Sequence, residues 1–240
     1  KQLWKQKTGP AWNSGRESWQ GSRSTPTIDG DRLYVVTPFG KLICANTSDG
    51  SVKWQLDLKE DLGGKKKDVW GYSESPLVDG DWVLGTPGGE EATVVALDKM
   101  TGKTVWKCSR DGDVGAGHSS IVISQIGDRK IYVQNTGGGP MGIDATNGEL
   151  LWFYDMAPPT AFIPTAIIKD DLVFSCAGYN LGGALLRQVP KNGTVTVEEI
   201  YGPVKDIANK HGGLVLIGDY LYAGSEDRPI IFCADLMSGE

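Results

Sequence analysis

The chain has 240 residues, 40% of them hydrophobic, enough to bury a sizeable core. Its formal net charge of −6 excludes a general nucleic-acid surface. It contains no apolar run of the roughly 18 residues that a membrane-spanning helix needs.

The predicted elements are short strands from end to end. The opening Lys1-Gln2-Leu3-Trp4 reads as an outer strand over about residues 1–7. It does not have the pattern of a signal peptide and it lacks an initiator Met, as a mature or partial chain would. Five repeats follow, over about residues 20–58, 70–110, 116–156, 160–201 and 211–240. Each begins with a hairpin signal. Ile28-Asp29-Gly30-Asp31 and Val78-Asp79-Gly80-Asp81 separate short apolar runs, and weaker copies precede Ile131-Tyr132-Val133, Leu172-Val173-Phe174 and Leu221-Tyr222-Ala223. Asp and Gly between β-branched runs favour a tight hairpin, because both tolerate positive φ.

A second phrase closes each repeat. Asp98-Lys99-Met100-Thr101-Gly102 runs to Trp106, Asn46-Thr47-Ser48-Asp49-Gly50 to Trp54, and Asp144-Ala145-Thr146-Asn147-Gly148 to Trp152. The phrase returns as Asp235-Leu236-Met237-Ser238-Gly239, and Ile200 stands near the Trp position of the fourth repeat. Each repeat thus reads as four antiparallel strands joined by turns. Helical periodicity is limited to one turn at most, near Val204 to Asn209.

A four-stranded unit of roughly 45–50 residues cannot bury both faces alone, and radial stacking of such units makes a β-propeller. The expected fold is all-β: one propeller domain or propeller fragment over 1–240, with about five repeats. Its two ends would combine into one composite blade. Either the ring has five blades, or the chain is part of a larger ring.

Both histidines stand at one repeat offset when counted from the residue that opens the first strand. Arg23, Ser73, His118, Ala161 and His211 share that offset, and Ser24, Glu74, Ser119, Phe162 and Gly212 follow. Equal offset implies equal height around the axis, so Arg23, Ser73, Glu74, His118, Ser119 and His211 are candidate binding residues at one channel mouth. The alternative is that they satisfy buried backbone where the blades begin. Trp12, Trp19 and Trp70 lie on the long loops leading there, as partner contacts or as lids over small satellite cores. Trp4, Trp54, Trp106 and Trp152 are the structural docking residues.

Other features have plainer readings. Lys65-Lys66-Lys67 reads as a solvated loop tip. Cys44, Cys108, Cys176 and Cys233 include no adjacent pair and read as free, buried structural thiols. Asp111-Gly112-Asp113-Val114-Gly115 lacks the closing acid of a calcium loop and reads as a turn. No catalytic constellation and no metal-ligand spacing is visible.

The repeated Ala96-x-Asp98-x-x-Thr101-Gly102-x-x-x-Trp106 resembles the tryptophan-docking motif of the pyrroloquinoline-quinone-like, or quinoprotein-type, β-propellers. More closely, Ser24 to Asp31 and Trp70 to Gly80 are similar to the exported propeller-repeat proteins of planctomycete-type bacteria, which are themselves similar to the outer-membrane assembly lipoprotein with the same propeller. The resemblance implies an extracytoplasmic, periplasmic location and a ring of seven or eight blades. True quinoprotein dehydrogenases carry a vicinal cysteine pair, a catalytic Asp and calcium ligands, and none of these can be placed here by motif. The first expectation is therefore a non-catalytic propeller without cofactor that binds a protein, a peptide or an envelope polymer. The second is a dehydrogenase using pyrroloquinoline quinone with calcium, or a degenerate relative of one, working at the mouth around Arg23, Glu74, His118 and His211. A third is a structural component of the envelope.

Overall fold

The computed structural model describes residues 1–13, 21–226 and 230–240, and the chain divides into two compact units, residues 1–116 and 117–240. The first unit holds two four-stranded antiparallel sheets. One is β1 (Thr27–Asp29), β2 (Arg32–Val36), β3 (Lys41–Asn46) and β4 (Val52–Asp57); the other is β5 (Leu77–Asp79), β6 (Trp82–Gly85), β7 (Val94–Asp98) and β8 (Thr104–Cys108). The second unit holds β9 (Val122–Ile126), β10 (Arg129–Asn135), β11 (Pro140–Asp144) and β12 (Leu150–Phe153). After them come β13 (Ile167–Lys169), β14 (Leu172–Ala177), β15 (Gly182–Lys191) and β16 (Thr194–Val204), and last β17 (Val215–Ile217), β18 (Tyr220–Gly224) and β19 (Ile231–Asp235). Every sheet is a simple up-and-down meander. The chain is an all-β propeller of about five blades. The fifth sheet has three described strands, β17 to β19.

The closing turns are built by one side chain. Asp98 Oδ1 accepts from the amides of Met100 and Thr101 and from the Thr101 hydroxyl, while Gly102 N donates to Asp98 O with Gly102 at φ +72°. Asp235 repeats the pattern with Met237 and Ser238, and Asn46 does so with Ser48. A short polar side chain that caps its own turn is the reason Asx residues favour such positions. The hydrogen bonds from Thr101 hold the Asp98 carboxyl below its ordinary value, and those from Ser238 do the same for Asp235.

A ring from a neighbouring segment then settles on each turn. Trp54 Nε1 donates to Lys99 O at 3.0 Å, Trp4 Nε1 to Thr47 O at 2.8 Å, and the Tyr201 hydroxyl to Leu236 O at 2.9 Å. In each case the acceptor follows the turn Asp or Asn by one residue. In each case also the ring covers the turn glycine: a Cβ at Gly102 would lie 2.7 Å from Trp54, at Gly50 2.5 Å from Trp4, and at Gly239 3.2 Å from Tyr201. The fourth-blade ring is therefore Tyr201, not a side chain at Ile200; a bulge between Gly183 and Leu185 sets Leu185 opposite Tyr201 and puts the phenol on the seam. Residues 1–7 form no strand, contrary to expectation. The Trp4 ring of this segment is nonetheless seated on the β3–β4 turn.

Bulges one residue before the turns make room for the indoles. They lie between Cys44 and Ala45, Ala96 and Leu97, and Gly142 and Ile143. They place Trp54, Trp106 and Trp152 opposite Cys44, Ala96 and Gly142, all small residues. Trp106 and Trp152 are buried and Trp54 is half-buried.

Three cysteines, Cys44, Cys108 and Cys176, are buried free thiols as expected, but Cys233 is exposed. It projects from the face of the β17–β19 sheet that carries Val215, Ile217, Tyr220, Tyr222 and Ile231, all exposed, while Leu221 and Ala234 on the other face are buried. Among the described residues the one helical turn, Lys205–Ile207, lies where the sequence allows it.

Replacing Gly142 with Ala puts a methyl group 2.1 Å from the Trp152 Nε1 position and should destabilise the chain more than Gly127→Ala, which meets open space at a strained φ. Trp152→Ala should cost about 3–5 kcal/mol by the large-to-small scale, read from the shift of urea unfolding curves.

Candidate functional site

In the first unit, the polar groups collect around one tyrosine. Lys65 N donates to Gly88 O at 2.8 Å, Ala116 N to Lys65 O at 2.9 Å and Lys67 N to Ala116 O at 3.2 Å, so the three lysines form a pinned extended segment. Glycine makes this approach possible, since a Cβ at Gly88 would meet Ala116 N at 2.1 Å. The expected solvated loop tip is thus only partly correct. Lys65 is exposed, but Lys66 is partly buried, with Nζ 5.7 Å from the centre of the Tyr72 ring. Lys59 Nζ stands 5.8 Å from the same ring. Tyr72 itself is buried and fixed at both ends, its hydroxyl donating to Pro87 O at 2.7 Å and its amide to Pro38 O at 2.9 Å. Exposed Arg23 reaches this region with Nη1 2.8 Å from Trp70 O, and Trp70 N donates to Asp68 Oδ1.

Glu74 is buried two residues beyond Tyr72. Its carboxyl is held by Thr86, whose amide donates to Oε2 at 2.8 Å and whose hydroxyl lies 3.1 Å from Oε1. Burial outweighs these bonds and the charge of Lys66, and pushes the Glu74 carboxyl up to about 8. Burial also lowers the Lys66 ammonium to about 8, with Asp68 and Glu74 opposing the shift and Arg23 and Lys59 adding to it.

The second unit treats its candidate residues differently. The Ser119 hydroxyl donates to Asn135 O at 2.7 Å, and Gln134 Nε2 returns a bond to Ser119 O at 3.1 Å. Asn135 continues the chain of bonds, donating from Nδ2 to Pro164 O and accepting from the Ser175 hydroxyl. All four of these side chains are buried, and together they tie the starts of β9 and β13 to β10 and β14. His118 is partly buried, its amide donating to Phe162 O at 2.7 Å, and His211 is exposed.

Arg23, Ser73, His118 and His211 each stand six residues before Asp29, Asp79, Ser124 and Ile217, the first-strand residues whose partners Arg32, Trp82, Ile131 and Tyr220 pair with Asn46, Asp98, Asp144 and Asp235 of the closing turns. Ala161 stands eight before Lys169, which pairs with Leu172. The β9–β10 hairpin is longer only beyond these positions. Ser73 is partly buried beside Glu74. Trp12 is partly buried and packs tilted against Phe39 at 5.1 Å, and Trp70 is partly buried; Trp19 lies outside the described residues. The sequence missed Lys66, Lys59 and Thr86, because nothing local marks a lysine whose ammonium is folded back over a ring.

The acidic loop at Asp111 is a structural clamp. Buried Asp113 pairs with Arg110 at 3.1 Å and accepts from Gly89 N and Gly115 N. Glu74 is held by Thr86 in a form that favours its proton, and the described residues include no group of three metal-ligating side chains.

A family model described as outer membrane protein assembly factor BamB matches residues 1–240. The chain belongs to this family. Among curated relatives, BamB of Bordetella pertussis is 25% identical over 95% of this chain and 56% of its own length, and BamB of Nitrosomonas eutropha 27% identical over 79% and 42%. The dehydrogenase subunit of the quinone alcohol dehydrogenase of Gluconobacter oxydans is 26% identical over 82% of this chain and 28% of its own length. The crystal structure of BamB from Moraxella catarrhalis shares the fold, with a TM-score of 0.58 at 19% identity over 96% of this chain and 65% of that one. The chain thus spans from about a quarter to just over half the length of these curated relatives.

Linkage gives a signed test. Glu74 holds its proton more tightly folded than unfolded, so its contribution to stability is complete below the ordinary value of 4.5 and is lost as pH rises towards 8. Lys66 works the other way, and the cost of burying its charge is relieved as pH rises from about 8 towards 10.5. Glu74→Gln should therefore gain stability relative to the parent between pH 5 and pH 8, and urea titrations at both values will show it; equal differences at the two would contradict the assignment.

Proposed function

We propose that this chain is a binding module of the bacterial cell envelope, working outside the cytoplasm as a non-catalytic propeller that holds a protein or peptide partner. The observation that carries the reading is the use made of the mouth residues. Glu74 bonds Thr86 and Ser119 bonds Asn135, so both serve the blades that bear them. The family match over the whole chain and the two BamB relatives support the same reading. Exposed Arg23 and His211 and partly buried Trp70 supply polar and aromatic contact groups on the loops before the first strands, the loop class that a rigid scaffold offers to partners.

Fractionation of the producing cell should place the protein in the envelope, and cross-linking in intact cells should give discrete protein adducts. Recovery from the cytoplasm alone, or an envelope protein that stays uncross-linked, would count against the proposal.

A second reading, a quinone-dependent dehydrogenase or its degenerate relative, is favoured by the Gluconobacter match. Adding pyrroloquinoline quinone and calcium to purified protein separates the two. The binding module leaves the visible spectrum and alcohol-dependent dye reduction unchanged, whereas a stoichiometric chromophore that supports dye reduction would establish the second reading.

A further inference from the structure

Resting on the binding reading above, we infer that the second unit carries a carboxylate-binding site on the turn between β14 and β15, where the amides of Tyr179 and Asn180 and the ammonium of Lys210 take an acidic side chain of a protein partner, and that Glu226 closes this site as an internal stand-in.

The turn itself is unusual. Leu181 N donates to Gly178 O at 3.3 Å, with Tyr179 at φ +61° and Asn180 at φ +64° between them. Two successive positive values define a tight hairpin turn that glycine and asparagine normally fill. A tyrosine in the first central position is an outlier that the surroundings must hold in place. Successive backbone N–H groups in a turn make an anion-binding concavity, and here both are aimed at one carboxylate.

That occupant sets the ligand class. Tyr179 N donates to Glu226 Oε1, and Asn180 N lies 2.9 Å from Oε2 and 3.2 Å from Oε1, so both carboxylate oxygens are engaged. Glu226 follows Asn180 by 46 residues, so the contact joins two separate segments. The cradle opens to solvent: Asn180 is exposed, and Tyr179, Lys210 and Glu226 are only partly buried. A charge contact at the surface contributes little to stability, so the carboxylate of a partner can take the place of Glu226 at small cost.

The cation is placed by the backbone. Lys210 Nζ lies 4.6 Å from the centre of the Tyr179 ring, within the range of cation–π attraction. A Cβ at Gly178 would meet Lys210 Cβ at 2.8 Å, so only glycine lets the turn come this close to the lysine. Buried Asn209 fixes the segment that bears Lys210, donating from Nδ2 to Gly224 O at 2.9 Å and accepting from Gly213 N at 3.0 Å. Asn209 thereby ties the approach to β17 to the end of β18, the two places from which Lys210 and Glu226 reach the turn.

The test uses a dye-labelled hexaglutamate peptide with blocked ends, its hexaglutamine counterpart, and fluorescence anisotropy at low salt. Glu226→Ala removes the internal carboxylate and should bind the glutamate peptide about tenfold more tightly than the parent, as expected when a site is freed from a state that is closed most of the time. The glutamine peptide should bind neither protein. Glu60→Ala removes the same charge from an exposed position in the first unit and should change binding less than about twofold. Adding Lys210→Gln to Glu226→Ala should abolish the gain, whereas adding Asn180→Gly, which keeps the amide and suits the turn, should preserve it. Should Glu226→Ala fail to fold by circular dichroism, Glu226→Gln, which keeps the shape of the side chain without its charge, carries the test. No gain in either variant, an equal gain in Glu60→Ala, or a gain that survives Lys210→Gln would overturn the inference. Cross-linked partners that persist unchanged in Lys210→Gln would sink this site and leave the binding-module reading standing; absence of any partner would remove that reading instead, with the peptide titration still deciding the site.

Discussion

Each seam seated on a closing turn depends on an aromatic ring laid on a left-handed glycine while its polar edge bonds the turn carbonyl. Trp54 on Gly102, Trp4 on Gly50 and Tyr201 on Gly239 share this arrangement. The constraint acts on several residues together. The glycine must lack a Cβ, the Asx side chain must hold the turn so that its carbonyl faces outward, and the residue opposite the indole must be small. Flat sheets offer few directional contacts to one another, so this one bond does much to fix how neighbouring blades meet.

The seam between the third and fourth sheets departs from that rule, and the departure has a local cause. Where the other blades have an Asx turn, the fourth continues into the long β15–β16 hairpin, which turns at Asn192 and Gly193. Trp152 still buries its ring among Val173, Leu186 and Val195, but its Nε1 is buried without an acceptor. Other bonds replace the missing one. Gln188 Nε2 reaches Ser124 Oγ at 2.6 Å, Ser175 reaches Asn135, Arg129 reaches Gly193 O, and Tyr154 reaches Glu199. A buried indole N–H left unpaired is costly, and the network offsets that cost only in part, since Gln188 Oε1 is itself buried without a donor.

Much of the fold was legible because its signals are local and repeated. Asp-Gly hairpins, Asx turns ending in Gly and tryptophans at fixed distance each specify a backbone conformation within a few residues, and repetition multiplies the evidence. The misreadings came where register decides. Ile200 and Tyr201 differ by one position, and only the bulge in the β15–β16 ladder says which faces the seam. The extra length of β9 over β1 lies at the hairpin tip and was not marked by the strand-opening residues. The Tyr72 cluster was legible only in part. Glu74 stood out by its place in the repeat, but the burial of Lys66 depends on contacts with Gly88 and Ala116, far from it in sequence. Cys233 shares its repeat position with Cys44 and differs in exposure only because nothing described covers that face of the last sheet.

The unusual seam has a consequence for how the chain assembles. Tandem modules of similar shape are prone to pair with the wrong neighbour during folding. A junction held by glutamine, serine and asparagine contacts, in place of a ring on a glycine, fits a single pair of sheets. It works as an address label inside an otherwise interchangeable series, and an error that brought another sheet into that place would leave Gln188 and Asn135 stranded in the core.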